Sequence, residues 1–164
     1  MKIQPYLDKL NSSNKFKEFI SKNPDAYFSA GFFMIDLAEG NNLHQIDYYL
    51  PKEKKIVTFM LDKDIEMKKD DLQNDSVPKG IEGNIEIDLD VLKGIVEDEM
   101  KNHTVTTKLI KIIAVIQNIE GKKVWNLNCL TSDMGIIKVH VDDSDHSVLK
   151  FENVNLFDAV KKLK

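Results

Sequence analysis

The two halves of this chain read as one pattern written twice. Leu7-Asp8-Lys9-Leu10 opens the first half, and Leu89-Asp90-Val91-Leu92 opens the second. Glu39-Gly40 and Glu120-Gly121 each separate two apolar runs. Ile56-Val57-Thr58-Phe59-Met60-Leu61-Asp62 closes the apolar pattern of the first half. Ile136-Ile137-Lys138-Val139-His140-Val141-Asp142 closes that of the second, at an offset that drifts only from 82 to 80 residues. A repeat of this length is one supersecondary unit that must bury its apolar face against a neighbour. The pattern predicts an α+β protein of two tandem repeats, each a helix packed on an antiparallel β-meander of three to four strands. Half a chain of 164 residues supports only a modest core, so the halves pack together or each finds a partner.

The spacing of apolar residues places the elements. Leu7, Leu10, Phe16, Phe19 and Ile20 share a helical face over 6–22, with Ser12-Ser13-Asn14 as the point where that helix would break in two. Aromatic and β-branched residues over 26–37, alternation over 43–50 and the run at 55–61 predict strands, with a short fourth at 65–68. The polar stretch 69–84 reads as a linker between a first repeat, 1–68, and a second, 85–164. Ile85 and Ile87 suggest a short strand, and Asp88 a cap for a helix over 89–101. Residues 108–118 fit helical spacing, but their β-branched content and their counterpart in the first half favour a strand. Strands follow at 124–131, 136–141 and 147–151, and Asn155 would cap a terminal helix with Leu156, Phe157, Val160 and Leu163.

Composition narrows the function. All 23 basic residues are lysine and the net charge is -4. Without the bidentate fork of arginine, a dedicated nucleic-acid interface is not expected. The single cysteine, Cys129, excludes an internal disulfide and reads as a small buried side chain. No apolar run is long enough to span a membrane, and none opens the chain as a leader, so a cytoplasmic setting is expected. No phosphate-binding glycine loop and no ordered Ser-His-Asp set is present, and no cofactor is implied.

Two constellations stand out. His44, Tyr48, Tyr49 and Trp125 lie on predicted strands, and His44 aligns with Trp125 in the repeat. They are the candidate partner-binding face, while Trp125 equally suits the largest core side chain of the second half. His140, Asp142, Asp143, Asp145 and His146 bring carboxylates and imidazoles close enough to hold a divalent ion. The same residues also suit a hairpin turn in which aspartates cap their own backbone.

The second half resembles the PepSY domain family. The likeness lies in Trp125-Asn126-Leu127-Asn128 after a Gly-Lys-Lys turn, and in the stretch from Val139 to Leu149. The family ends in a hairpin of the form V-D-x-x-x-G-x-V-L. Here Val141, Asp142, Val148 and Leu149 fill their places, and His146 stands where the glycine belongs. Leu61-Asp62-Lys63-Asp64 repeats the motif more loosely in the first half. The resemblance implies a binding module, since family members are typically secreted or membrane-attached and many modulate proteases. It supplies no catalytic residues. The expectation is therefore a non-catalytic protein-binding or scaffolding module that meets another protein or itself. The alternatives are a small-ligand binder or enzyme with a pocket between helix and sheet, and a divalent-ion-dependent module.

Overall fold

Ser13 ends one helix and begins the next. Its N–H donates to the Leu10 carbonyl at 3.0 Å, while its hydroxyl accepts from the Phe16 N–H at 3.4 Å. The expected helix is therefore two, α1 (Gln4–Ser12) and α2 (Asn14–Lys22), because an extended serine cannot continue α1 but caps α2 well. The computed structural model describes residues 2–73 and 76–155. Four strands follow: β1 (Tyr27–Asp36), β2 (Leu43–Leu50), β3 (Lys55–Met60) and β4 (Glu66–Asp71). Helix α3 (Leu89–Asn102) then leads into β5 (Leu109–Ile119), β6 (Lys122–Thr131), β7 (Gly135–Asp142) and β8 (Val148–Asn155). The terminal helix expected after Asn155 lies outside the described residues, and Asn155 itself ends β8.

The eight strands form one antiparallel sheet in the order β4-β3-β2-β1-β5-β6-β7-β8. This corrects the expectation of two separate repeats. Each half makes its own four-stranded meander, but β1 and β5 pair from Ala30–Gln117 to Asp36–Lys111 and merge the two. β1 is rich in Phe and β5 in Ile, which suits central positions. Between β5 and β6, Glu120 and Gly121 both take positive φ, 52° and 86°. Two such residues make the tight turn whose twist matches a hairpin. The outer strand β4 is exposed throughout and carries Glu66, Lys68, Lys69, Asp70 and Asp71, a charge pattern that discourages edge-to-edge pairing.

All three described helices cover one face. Period-two alternation sends Phe33, Ile46, Phe59, Ile112, Ala114, Trp125, Leu127 and Val139 to that side, where each is buried. From α2, Phe16 and Phe19 pack edge-on against Phe59, with ring centroids 5.4 and 5.1 Å away. Helix α3 buries Leu89, Leu92, Val96 and Met100, and His103 at its end stacks on Phe151 of β8 at 4.0 Å. Gly31 sits mid-strand because the Phe33 ring folds over it. A Cβ there would meet Phe33 Cε2 at 2.8 Å.

Residues 76–88 run as an irregular strap that leads into α3. Ile85 and Ile87 form no strand. Instead Ile87 is buried in the core and the strap is held by side-chain and backbone hydrogen bonds. Tyr27 Oη donates to the Pro78 carbonyl at 2.6 Å, Asn118 Nδ2 to the Gly80 carbonyl at 2.8 Å, and the Ile81 N–H to the Phe28 carbonyl at 2.8 Å. Asp88 is the N-cap of α3 by position, yet its carboxylate makes no cap bond. It accepts the Ile3 N–H at 3.4 Å and so ties the start of α1 to α3.

Candidate functional site

The strand face carrying His44, Tyr48 and Trp125 is the covered one. Trp125 is 0% exposed. Its Nε1 donates to Asp143 Oδ1 at 2.9 Å, and its ring lies 5.7 Å from that of Phe33. His44 is 1% exposed and stacks on Tyr6 of α1 with ring centroids 3.7 Å apart. Its Nδ1 meets Asp62 Oδ1 at 2.7 Å, and Nε2 is buried without a hydrogen-bond partner among the described residues. Tyr48 packs between Phe16, Phe19, Phe28 and Phe59, and burial raises its phenol above the usual range. Tyr49, the next residue, points to the other face but is 2% exposed, packed beside Tyr27. His44, Tyr48 and Trp125 face the helices, with Tyr48 half-buried and the other two buried, and Tyr49 is buried on the other face. Alternation reveals that a strand has two faces, but not which of them the helices choose.

The five residues offered as a metal cluster do not converge. Asp142 Oδ1 accepts the Ser144 N–H at 2.8 Å and its hydroxyl at 2.6 Å, and these bonds hold its carboxyl below the usual range. Asp145 does the same with Ser147, at 2.9 and 2.6 Å. His146 takes φ 64°, filling the glycine place with a left-handed residue. His140 lies across the sheet from Lys150, and burial followed by the charges of Lys150 and Lys138 lowers its affinity for a proton. Asp143 turns inward and is fully buried. Besides Trp125 it accepts the Glu86 and Ile87 N–H groups at 2.9 and 3.1 Å, with Lys123 Nζ 3.8 Å away. Among the described residues, no three His, Cys, Asp or Glu side chains are placed to hold a metal ion. Cys129 is buried between β5 and β7, and burial pushes its thiol up to about 12.

The opposite sheet face has no helix over it among the described residues. Across its centre Phe32 pairs with Val115 and Met34 with Ile113, all half-buried. Gln45 and Asn126 flank the first pair, and Leu43 and Asn128 the second. At one end of this face the strap arches over a cavity of about 550 Å³, lined by Ala30, Asp47, Ile56, Val77, Pro78 and Gln117. Asp47 is the charged group on the sheet side of that cavity. Thr58 Oγ1 donates to its Oδ1 at 2.7 Å, and no cation is paired with it among the described residues. Burial raises its carboxyl above the usual range, the Thr58 bond opposes this, and the nearby charge of Asp70 adds to it. Sequence reading passed over Asp47 as one polar residue in an alternating strand. The signal available was an aspartate in the middle of a strand, where that residue is disfavoured.

A crystal structure of a protein from Clostridium difficile 630, assigned as a lipoprotein, shares this architecture. The TM-score is 0.56 at 13% sequence identity, over 85% of this chain and 90% of that one. At that identity the likeness speaks for the fold alone. No family model matches the chain, and no curated protein matches it.

Proposed function

We propose that the protein is a non-catalytic binding module that docks a second copy of itself through the open face of its sheet. The observation that carries this reading is the half-buried apolar centre of that face, Phe32, Met34, Ile113 and Val115, extended by Leu43 and flanked by Gln45, Asn126 and Asn128. An apolar centre inside a polar rim is the usual anatomy of an interface. Charge argues for a second copy as the occupant. On the β4 flank of this face stand Glu66 and Asp70 around Lys68, and on the β7–β8 flank stand Lys138 and Lys150 around Glu152. A two-fold axis running along the strands between two facing sheets lays each acid-rich flank over a lysine-rich one.

The finer reading of the fold belongs to the same proposal. Each half is a PepSY-like module of helix and meander, and the pair shares one sheet. The support is that His44 with Asp62, and Trp125 with Asp143, occupy equivalent places 81 residues apart. A lipid-anchored setting, in keeping with the lipoprotein assignment of the fold neighbour, and the cytoplasmic setting expected from the sequence ask the same of this face.

Sedimentation equilibrium tests the proposal. The expected result is a dimer that weakens with added salt and with Glu66→Lys or Lys138→Glu alone, and recovers when both are combined. Phe32→Glu should give a folded monomer. A wild-type protein that stays monomeric at every accessible concentration overturns self-association.

A further inference from the structure

The cavity beneath the strap carries an inference that does not depend on self-association. We infer that it is a binding site for an alkylammonium group, held by the free carboxylate oxygen of Asp47 with its aliphatic stem against Ala30, Ile56, Val77 and Pro78.

Each part of the lining points to that chemistry. Withdrawing a carboxylate from water is costly unless a partner compensates it, and half-buried Asp47 has only the Thr58 hydroxyl. That hydroxyl occupies Oδ1 and leaves Oδ2 for a ligand. One oxygen suits a compact point charge. A guanidinium would call on both oxygens for its fork, and a divalent cation would need several oxygen ligands. Gln117 of β5 lines the same cavity and its side chain makes no hydrogen bond among the described residues, so its amide oxygen offers a second acceptor. Lys79 lines the cavity from the strap yet forms no ion pair with Asp47. The apolar walls match a short methylene chain, and a volume near 550 Å³ admits it with water to spare. The strap is fastened to the sheet beside the cavity by Tyr27 to Pro78 and by Asn118 to Gly80, which holds this part of the wall in place before any ligand arrives.

Titration of isotope-labelled protein with n-butylammonium, followed by NMR, tests this. Saturable shifts are expected at the amides of Ala30, Asp47, Thr58 and Val77, with the neutral isostere n-butanol at least ten-fold weaker. Asp47→Asn keeps its bond to Thr58 and should stay folded while losing ten-fold or more in affinity. Nα-acetyl-lysine methylamide separates the sources. Tighter binding than butylammonium identifies a lysine side chain of a polypeptide as the ligand, and equal binding identifies a small free amine. Butanol binding as well as butylammonium, undiminished affinity in Asp47→Asn, or no saturable shift in the cavity overturns the site.

Discussion

His44 and Trp125 stand at the same place in the two halves of one sheet, and each hydrogen-bonds an aspartate. His44 meets Asp62 at 2.7 Å and Trp125 meets Asp143 at 2.9 Å, and both members of the first pair lie 81 residues before their counterparts. The two pairs differ in their surroundings. Asp143 is buried and also holds the strap through Glu86 and Ile87, whereas the side chain of Asp62 is 28% exposed.

That difference sets unequal costs. Trp125→Phe leaves Asp143 one donor short and opens a small void, at a cost of about 2–3 kcal/mol. Asp143→Ala strands three donors, two of them buried, and should cost about 3 kcal/mol. His44→Phe keeps the stack on Tyr6 and removes the bare Nε2, so it should cost about 1 kcal/mol or less. Urea unfolding of the three variants checks the order, and a His44→Phe loss matching that of Asp143→Ala would contradict it.

Asp47 should make stability depend on pH with a particular sign. Its folded carboxyl binds a proton more readily than the ordinary value of 3.8, so between the two values the native state holds more protons than the unfolded chain. Stability therefore falls as pH rises through the raised value. Asp47→Asn should raise the melting midpoint at pH 7 by a few degrees, corresponding to about 1 kcal/mol. The gain should vanish below the ordinary value, where the wild-type carboxyl is protonated in both states. Melts from pH 3 to 7 read this directly.

Cys129 should be silent in the native protein. A thiol pushed up to about 12 supplies almost no thiolate at neutral pH, and its strand is covered. Labelling with a thiol-specific disulfide reagent should proceed only at the rate of global opening and accelerate with urea along the unfolding curve. Rapid stoichiometric labelling without denaturant would show the covering layer to be open.

His146 pays a conformational cost at φ 64°. Non-glycine residues in the left-handed region lose about 1 kcal/mol, part of which glycine gives back in unfolded-state entropy. His146→Gly should accordingly stabilise by about 0.5 kcal/mol, seen as a higher urea midpoint at unchanged slope.

Element positions were legible because the chain alternates cleanly. The stretch 43–50 is the whole of β2, and the β-branched content of 108–118 outweighed its helical spacing. The turn reading of 142–147 also holds, since Asp142 and Asp145 each close on a serine two residues on. The union of the halves was not legible. Nothing in Phe32-Phe33-Met34 states that its hydrogen-bond partner is Ile113-Ala114-Val115 rather than another molecule. Nor does alternation in Trp125-Asn126-Leu127 say which side receives a helix. That choice depends on where α1, α2 and α3 land, a long-range matter. Asp47 escaped notice because its meaning comes from the strap that passes over it from outside its own repeat.

The order of strands has a kinetic consequence. Every strand pair but one joins neighbours in sequence, so each meander can zip through short loops. The pairing of β1 with β5 alone ties residues 75 to 87 positions apart, from Asp36–Lys111 to Ala30–Gln117. Closing it requires two preformed ribbons to find the right register, and a slip by one residue would exchange the core and open faces of half the molecule. The slow event in refolding is then the seam and not the ribbons. An unseamed chain would offer two sticky central edges, β1 and β5, to any other copy in the same condition, which makes an exchanged dimer the natural misfolded product of this topology.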